Sequence, residues 1–484
     1  MMQALCKGLL AVGLTWFLSA PASAADPITA SGPLLPDEVL AASETHFPSI
    51  LQALADRQAA AGRVTEALGA FDVVFAADGF DRMKGYYDGT ALSGKVIKPL
   101  RPLGAQIYGE YSLSNGDFPV YEDEYYTNTG GKAKLGVLFS LLRDRDIDKR
   151  RFGEVDAALA LEQAELEVLL TKVGVQQQAL AAYWRWVAAG QQLAVYDNLL
   201  SIARQREAGL EREVKNGRRA AIFITENRQN IMRRQTLATS ARRDFQVAAN
   251  QLAFYLRDEE GDPLEPAAAR LPAPEGLAAL PPVPALAALD VPALLARRPE
   301  LRILQTGAER ALQKIAVSEN ELKPRLDLNV ELADGFGAVG EGGASRGTTD
   351  AVVGFTFSVP LERRQARGRI TQAEARLESL RQEQRRIEDQ VEIELRNILL
   401  ELDTARELMA LARQDMELSE TMRQAEIRRF EQGASDFFLV NIREETAADA
   451  RVRYYAAIRR ARVAQANFDA ATVNLASLGI SDTP

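Results

Sequence analysis

Residues 71–80 read FDVVFAADGF and residues 326–336 read LDLNVELADGF, two phrases ending in the same Ala-Asp-Gly-Phe 256 positions apart (334 − 78). Both alternate in the way of a strand. In the second, Leu326, Leu328, Val330 and Leu332 point to one face and Asp327, Asn329, Glu331 and Ala333 to the other. In the first, Phe71, Val73, Phe75 and Ala77 oppose Asp72, Val74, Ala76 and Asp78. A partner phrase follows each: Leu135, Val137, Phe139 and Leu141 oppose Lys134, Gly136 and Ser140, and Val353, Phe355, Phe357 and Val359 oppose Gly354, Thr356 and Ser358. One apolar and one polar face over this length suits the wall of a transmembrane β-barrel, and equally a sheet laid on a soluble core. The Asp-Gly pairs 78–79 and 334–335 are expected to leave their strands in tight turns.

The duplication extends beyond the strands. Gly136 and Gly354 match at an offset of 218 (354 − 136), and Gly217 and Gly433 match at 216, each glycine closing a long helical pattern. In the first half Leu159, Leu166, Val173, Leu180, Val187 and Ala194 fall seven apart. In the second, Val391, Leu395, Ile398, Leu402, Ala405, Met409, Ala412 and Met416 alternate four and three. Each pattern runs on the order of 70 residues, or about 100 Å of helix, which no compact domain spans. Shorter returning helices are expected at about 220–256 and 436–478, and leading helices at about 45–68 and 297–322. The helices at 220–256 and 297–322 together nearly equal one long helix, so they are expected to stack end to end beside it. The organisation is therefore a first repeat over 25–256, a Pro-rich belt over 257–296 and a second repeat over 297–484.

The rest of the chain narrows the choice of environment. Lys7, the apolar run Gly8 to Ala20 and Pro21-Ala22-Ser23-Ala24 read as a secretory signal peptide over 1–24. The sequence's one cysteine, Cys6, lies within it, and no other apolar run is long enough to span a membrane as a helix. A net charge of −9 argues against nucleic acid as a partner. Enzymatic chemistry finds little footing: His46, the one histidine, sits beside Phe47-Pro48 at the start of a helix, where capping or packing is expected, and no phosphate loop, metal-ligand spacing or cofactor motif appears. Together the leader and the alternation favour the barrel. Four strands, or six, cannot close within one chain, and open edges are not tolerated in lipid, so the barrel must be shared between copies.

Two tandem copies of helix, strand pair, long helix, Gly turn and returning helix resemble the TolC-like outer-membrane factors, or outer membrane efflux proteins, of diderm bacteria. Phe357-Ser358-Val359-Pro360-Leu361 is similar to the family's strand-to-long-helix junction, Arg298-Pro299-Glu300-Leu301 to the start of its second repeat, and Gln432-Gly433-Ala434-Ser435-Asp436 to its helix-hairpin tip. The resemblance implies a mainly α fold with a β-barrel portion: a homotrimer whose twelve-stranded transmembrane β-barrel, set in outer-membrane lipid, continues as a long periplasmic α-helical coiled-coil barrel. It implies a passive exit duct of a tripartite efflux or type I secretion system, reached by an inner-membrane pump through a periplasmic adaptor. The adaptor would dock at Gly217, Arg218, Gly433, Ala434 and Ser435, and Asp72, Asp78, Asp327, Asn329 and Glu331 would face the barrel lumen. A stand-alone outer-membrane channel and a structural periplasmic coiled coil are the alternatives.

Two departures from the family pattern stand out. Six and nine positions after Gly433, where well-known members carry an acidic ring, this chain has Leu439 and Ile442. An apolar constriction by Phe438, Leu439 and Ile442 is then expected, with Asp436, Glu444 or Glu445 able to supply charge instead. The first half also carries 38 extra residues (55 − 17) between its two strand phrases, with strand-like 90–98 and 105–113, the acidic Tyr121-Glu122-Asp123-Glu124, and seven of the twelve tyrosines between 86 and 126. This hairpin is expected outside a twelve-stranded wall; inside it, three copies would make eighteen strands.

Overall fold

The computed structural model describes residues 32–119, 125–282, 284, 289–339 and 349–481. The leader and Tyr121-Glu122-Asp123-Glu124 lie outside the described residues. The chain forms one six-stranded antiparallel sheet at the end of a long helical body. The strands are β1 (Val74–Asp81), β2 (Gly89–Pro99), β3 (Gln106–Gly116), β4 (Lys132–Ser140), β5 (Arg325–Gly335) and β6 (Asp350–Ser358), and they lie in the sheet in that order. The extra hairpin is therefore β2–β3 and sits inside the sheet, between β1 and β4, contrary to its expected place outside the wall.

The repeated Ala-Asp-Gly-Phe also behaves differently from its turn chemistry. Asp78 and Gly79 are in mid-strand, opposite Ser93 and Leu92, because an eleven-residue partner carries the ladder past them. Asp334 and Gly335 are the last two residues of β5. Ladder pairing has overridden the local preference for a turn.

Both repeats build the same helical unit. α1 (Pro36–His46) and α2 (Pro48–Gly69) lead into β1; α5 (Val291–Arg297) and α6 (Pro299–Asn320) lead into β5. The helix expected over 45–68 is α2, entered after Phe47, which Pro48 holds in extended backbone; α1 precedes it unannounced, and His46 closes α1 rather than opening a helix. The long helices are α3 (Lys149–Lys215) and α7 (Arg364–Glu431), and the returning ones α4 (Ile222–Ala253) and α8 (Phe437–Ala471). α3 starts at Lys149 because the Asp148 carboxylate accepts from the Arg150 and Arg151 amides at 2.8 and 2.9 Å as its N-cap.

α2 and α4 flank α3 on one side, α6 and α8 on the other, with α7 beyond them. α4 stacks end to end on α2, where the Phe47 ring meets Phe254 and Tyr255 at 5.1 and 5.4 Å, rather than on α6. α8 ends instead on α6, its Ala471 carbonyl accepting from Arg298 at 3.1 Å. At this waist Trp186, Tyr183, Leu199 and Leu252 form the main core, with the Tyr183 hydroxyl donating to the Leu34 carbonyl at 2.9 Å. The seam on α3 holds at Leu166, Val173, Leu180 and Val187, then leaves Ala194 exposed and passes to Val195 and Leu199, the drift expected of a straight helix against a strict heptad. The Pro-rich segment crosses α3, α8 and α7 in turn: Gln191 and Arg462 donate to the carbonyls of Pro272 and Leu277 at 2.8 and 3.0 Å, and Arg406 to that of Pro281.

Candidate functional site

Three surfaces carry the functional features. The first is the sheet. Cross-strand register places Phe75, Leu92, Val96, Leu135, Leu332, Val353 and Phe355 on one face, all exposed, with Phe355 at 77 %. A contiguous apolar face of this size on a soluble protein would be covered. Among the described residues no helix is long and apolar enough to cross a membrane.

The opposite face is polar and internally bonded. Tyr108 donates its hydroxyl to Glu331 at 2.7 Å and lies 3.1 Å from the Asn329 oxygen; Lys134 pairs with Glu331 at 3.5 Å and Lys95 with Glu110 at 3.9 Å. Gly136 makes this possible, because a Cβ there would lie 2.2 Å from the Tyr108 ring. Asp327 is buried, accepting from Ser140 at 3.1 Å and paired with Arg325. The structure thus groups Asp327, Asn329 and Glu331 on one face, with Asp78 on the same face in β1. Asp72 is not among them: it precedes β1, in the turn where its amide donates to Gly69. Lys95, Tyr108 and Glu110, contributed by the extra hairpin, had no signal in the sequence beyond strand alternation.

The second surface is the pair of helix-hairpin tips. Gly217 and Gly433 adopt φ of +69° and +73°. Each closes the same motif: the Arg218 amide donates to Glu213 at 2.9 Å and the Ala434 amide to Arg429 at 2.8 Å, satisfying carbonyls that the helix end would orphan. No atom crowds a Cβ at either glycine, so the requirement is backbone conformation alone. Ser435 bonds the Glu426 carboxylate, and Asp436 is the N-cap of α8, accepting from the Leu439 amide at 2.8 Å. Phe438, Leu439 and Ile442 share an exposed face of α8.

The third surface is internal. Behind the tips, Phe223, Phe430 and Phe437 pack edge to face or tilted, with Arg219 4.9 Å over the Phe430 ring. About two turns further in, Glu444 is fully buried and bonded by Arg234, itself fully buried, at 2.9 Å and by Arg206 at 3.1 Å; Asn441 accepts from both arginines. Glu444 is therefore committed inside the protomer, and Glu445 pairs with Arg233. The sequence carries no signal for these arginines, since an ion pair across 210 or 238 positions leaves no local pattern. Among the described residues no group of three or more His, Cys, Asp or Glu is placed to hold a metal ion.

With this geometry in hand, the comparisons are specific. The sequence model of the family described as outer membrane efflux protein matches residues 291–478. No curated protein matches the chain. Solved structures do. It superposes on the Campylobacter jejuni CmeC outer membrane channel with a TM-score of 0.62 at 12% identity, covering 93% of this chain and 87% of that one. For the Neisseria gonorrhoeae MtrE outer membrane channel in its open state the values are 0.63, 13%, 92% and 89%. For the Vibrio cholerae outer membrane protein VceC they are 0.60, 16%, 90% and 95%. Residues 291–478 are thus similar to the outer membrane efflux protein family, and over its described length the chain has the fold of these outer-membrane channels.

Proposed function

We propose that this chain is one copy of a homotrimeric exit duct, held in outer-membrane lipid by its strands and extending into the periplasm by its helices after removal of a leader. Cargo leaves passively, and an inner-membrane pump is coupled through a periplasmic adaptor docked at Gly217, Arg218, Gly433, Ala434 and Ser435. One observation carries the proposal: both lateral edges of the chain are unpartnered. Among the described residues β1 and β6 each have one free side. The helical body continues the same two edges, with α4 exposing Ile222, Met232, Val247 and Phe254, and α7 exposing Ile393, Leu400, Leu411 and Leu418. Edges that differ from one another make head-to-tail contacts, which close into a ring where the rotation between copies closes, as a membrane wall without open strand edges requires. A stand-alone channel would have no use for about 100 Å of helix, and a periplasmic coiled coil would have no use for an exposed Phe355 face.

In a ring, Phe438, Leu439 and Ile442 form the apolar constriction at the periplasmic mouth, while Asp436 serves as a cap. In-cell photo-crosslinking from Arg218 and Ser435, followed by mass spectrometry, tests the coupling. Capture of an adaptor from both positions is expected; crosslinks only between copies of this chain would replace the tripartite duct with a self-sufficient channel.

A further inference from the structure

We propose that hairpin β2–β3 widens the membrane pore to the bore of the helical tube, and so sets the size class of cargo that leaves. The inference rests on the ring of three copies proposed above. Four features make the hairpin part of the wall. Its strands hold unbroken register with β1 and β4. Its outward residues Leu92, Val96 and Leu113 continue the apolar face. Its inward Tyr108 is bonded across β4 to Glu331 on β5. Its helix-side turn is fixed to the helical body, Arg101 pairing with Glu154 of α3 at 2.9 Å and lying 4.7 Å over the Phe71 ring. An inserted pair of antiparallel strands also leaves every other strand's direction and facing unchanged.

The consequence is geometric. Strands ~4.8 Å apart and tilted ~40° give a backbone radius of about 12 Å for twelve strands and about 18 Å for eighteen. Each copy supplies four helical columns, α2 with α4, α3, α6 with α8, and α7. Twelve columns ~10 Å apart close at a radius of about 19 Å. Subtracting ~5 Å of side chain leaves a bore of roughly 26 Å through eighteen strands and roughly 28 Å through the helices, against roughly 14 Å through twelve strands. With the hairpin in the wall the duct does not narrow at the membrane, and the pore there admits cargo of about 25 Å once it is past the periplasmic mouth. The inward strand charges nearly cancel: Lys95, Lys132, Lys134 and Arg325 against Asp78, Glu110, Asp327, Glu331 and Asp350, 4 − 5 = −1 per chain, so the bore selects by size far more than by charge.

Strand neighbours can be counted in the full chain with Cys6→Ser as background. Residues opposite one another on adjacent strands have Cβ atoms ~5 Å apart, within reach of a short thiol crosslinker, whereas β1 and β4 separated by two strands are ~14 Å apart. The pairs F75C/V96C and G109C/L135C are expected to lock within one chain, and F75C/L135C to stay open. Locking of F75C/L135C would place the hairpin outside the wall and overturn the proposal. In planar bilayers, the diameter of the largest neutral polymer entering from the strand side is expected to fall about twofold when residues 82–130 are deleted; an unchanged cut-off in an assembled variant would equally overturn it. Native mass spectrometry of the same extracts reads copy number independently, so failure of the ring is told apart from failure of the hairpin.

Discussion

Glu444 sits out of contact with water between Arg206 and Arg234, and Arg234 is itself fully buried. Removing one partner of such a cluster leaves an uncompensated buried charge, so Glu444→Gln is expected to destabilise the chain by about 3 kcal/mol or more. Thermal unfolding in detergent reads this, and a loss under about 1 kcal/mol would return the cluster to the class of solvated pairs. Asp469 behaves oppositely. Burial holds its carboxyl above the ordinary range despite hydrogen bonds from Gln465 and Asn474. An acid with a raised folded-state pKa loses stability as pH climbs from the unfolded value, ~3.9, through the raised one. Asp469→Asn should therefore stabilise the chain at pH 7 and lose that advantage near pH 3; equal effects at both would contradict the burial. At the mouth, Leu439→Glu is expected to change conductance more than Phe355→Glu, which should impair assembly instead; equal effects at both positions would remove Leu439 from the constriction. The tip glycines were legible in the sequence because φ > 0 after a long helical pattern has few other solutions. The Arg206–Glu444–Arg234 cluster was not, because its members lie on three helices.

At the scale of elements, the seven-residue and two-residue periodicities located the long helices and the main strands, and the misreadings have physical causes. Asp78-Gly79 resembled a turn, but a turn forms only where the neighbouring strand ends, and β2 does not end there. The hairpin's place in the sheet follows from its pairing with β1 and β4 on either side, which strand alternation alone does not specify. Phe47-Pro48 was legible as the entry to α2, whereas the short α1 before it was not expected. The unpartnered stripe on α7 carries its own test. Leu411 and Leu418 are exposed and one heptad apart, and α7's inner seam is already filled by Leu395, Leu402 and Ala405. Leu411→Glu with Leu418→Glu should leave helical content unchanged while shifting the chain to single copies on native gels. Unaltered copy number would place the interface elsewhere.

At the scale of the molecule, the two repeats set one another's edges. β6 runs directly into α7 and α2 directly into β1, so the open strand and the open helical column lie on the same side at each edge. In the proposed ring a single contact would join copies along the whole length, from the strand end to the hairpin tips. The belt of carbonyls accepting from Gln191, Arg462 and Arg406 ties α3, α8 and α7 across the waist within each copy. Electron cryomicroscopy of the full chain in lipid nanodiscs tests this most directly. The predicted result is a closed ring in which β6 of one copy hydrogen-bonds β1 of the next, lipid lies against Phe355, and α7 packs on the neighbouring copy's α2 and α4. Single chains, or a particle whose strands stand outside the bilayer, would contradict it.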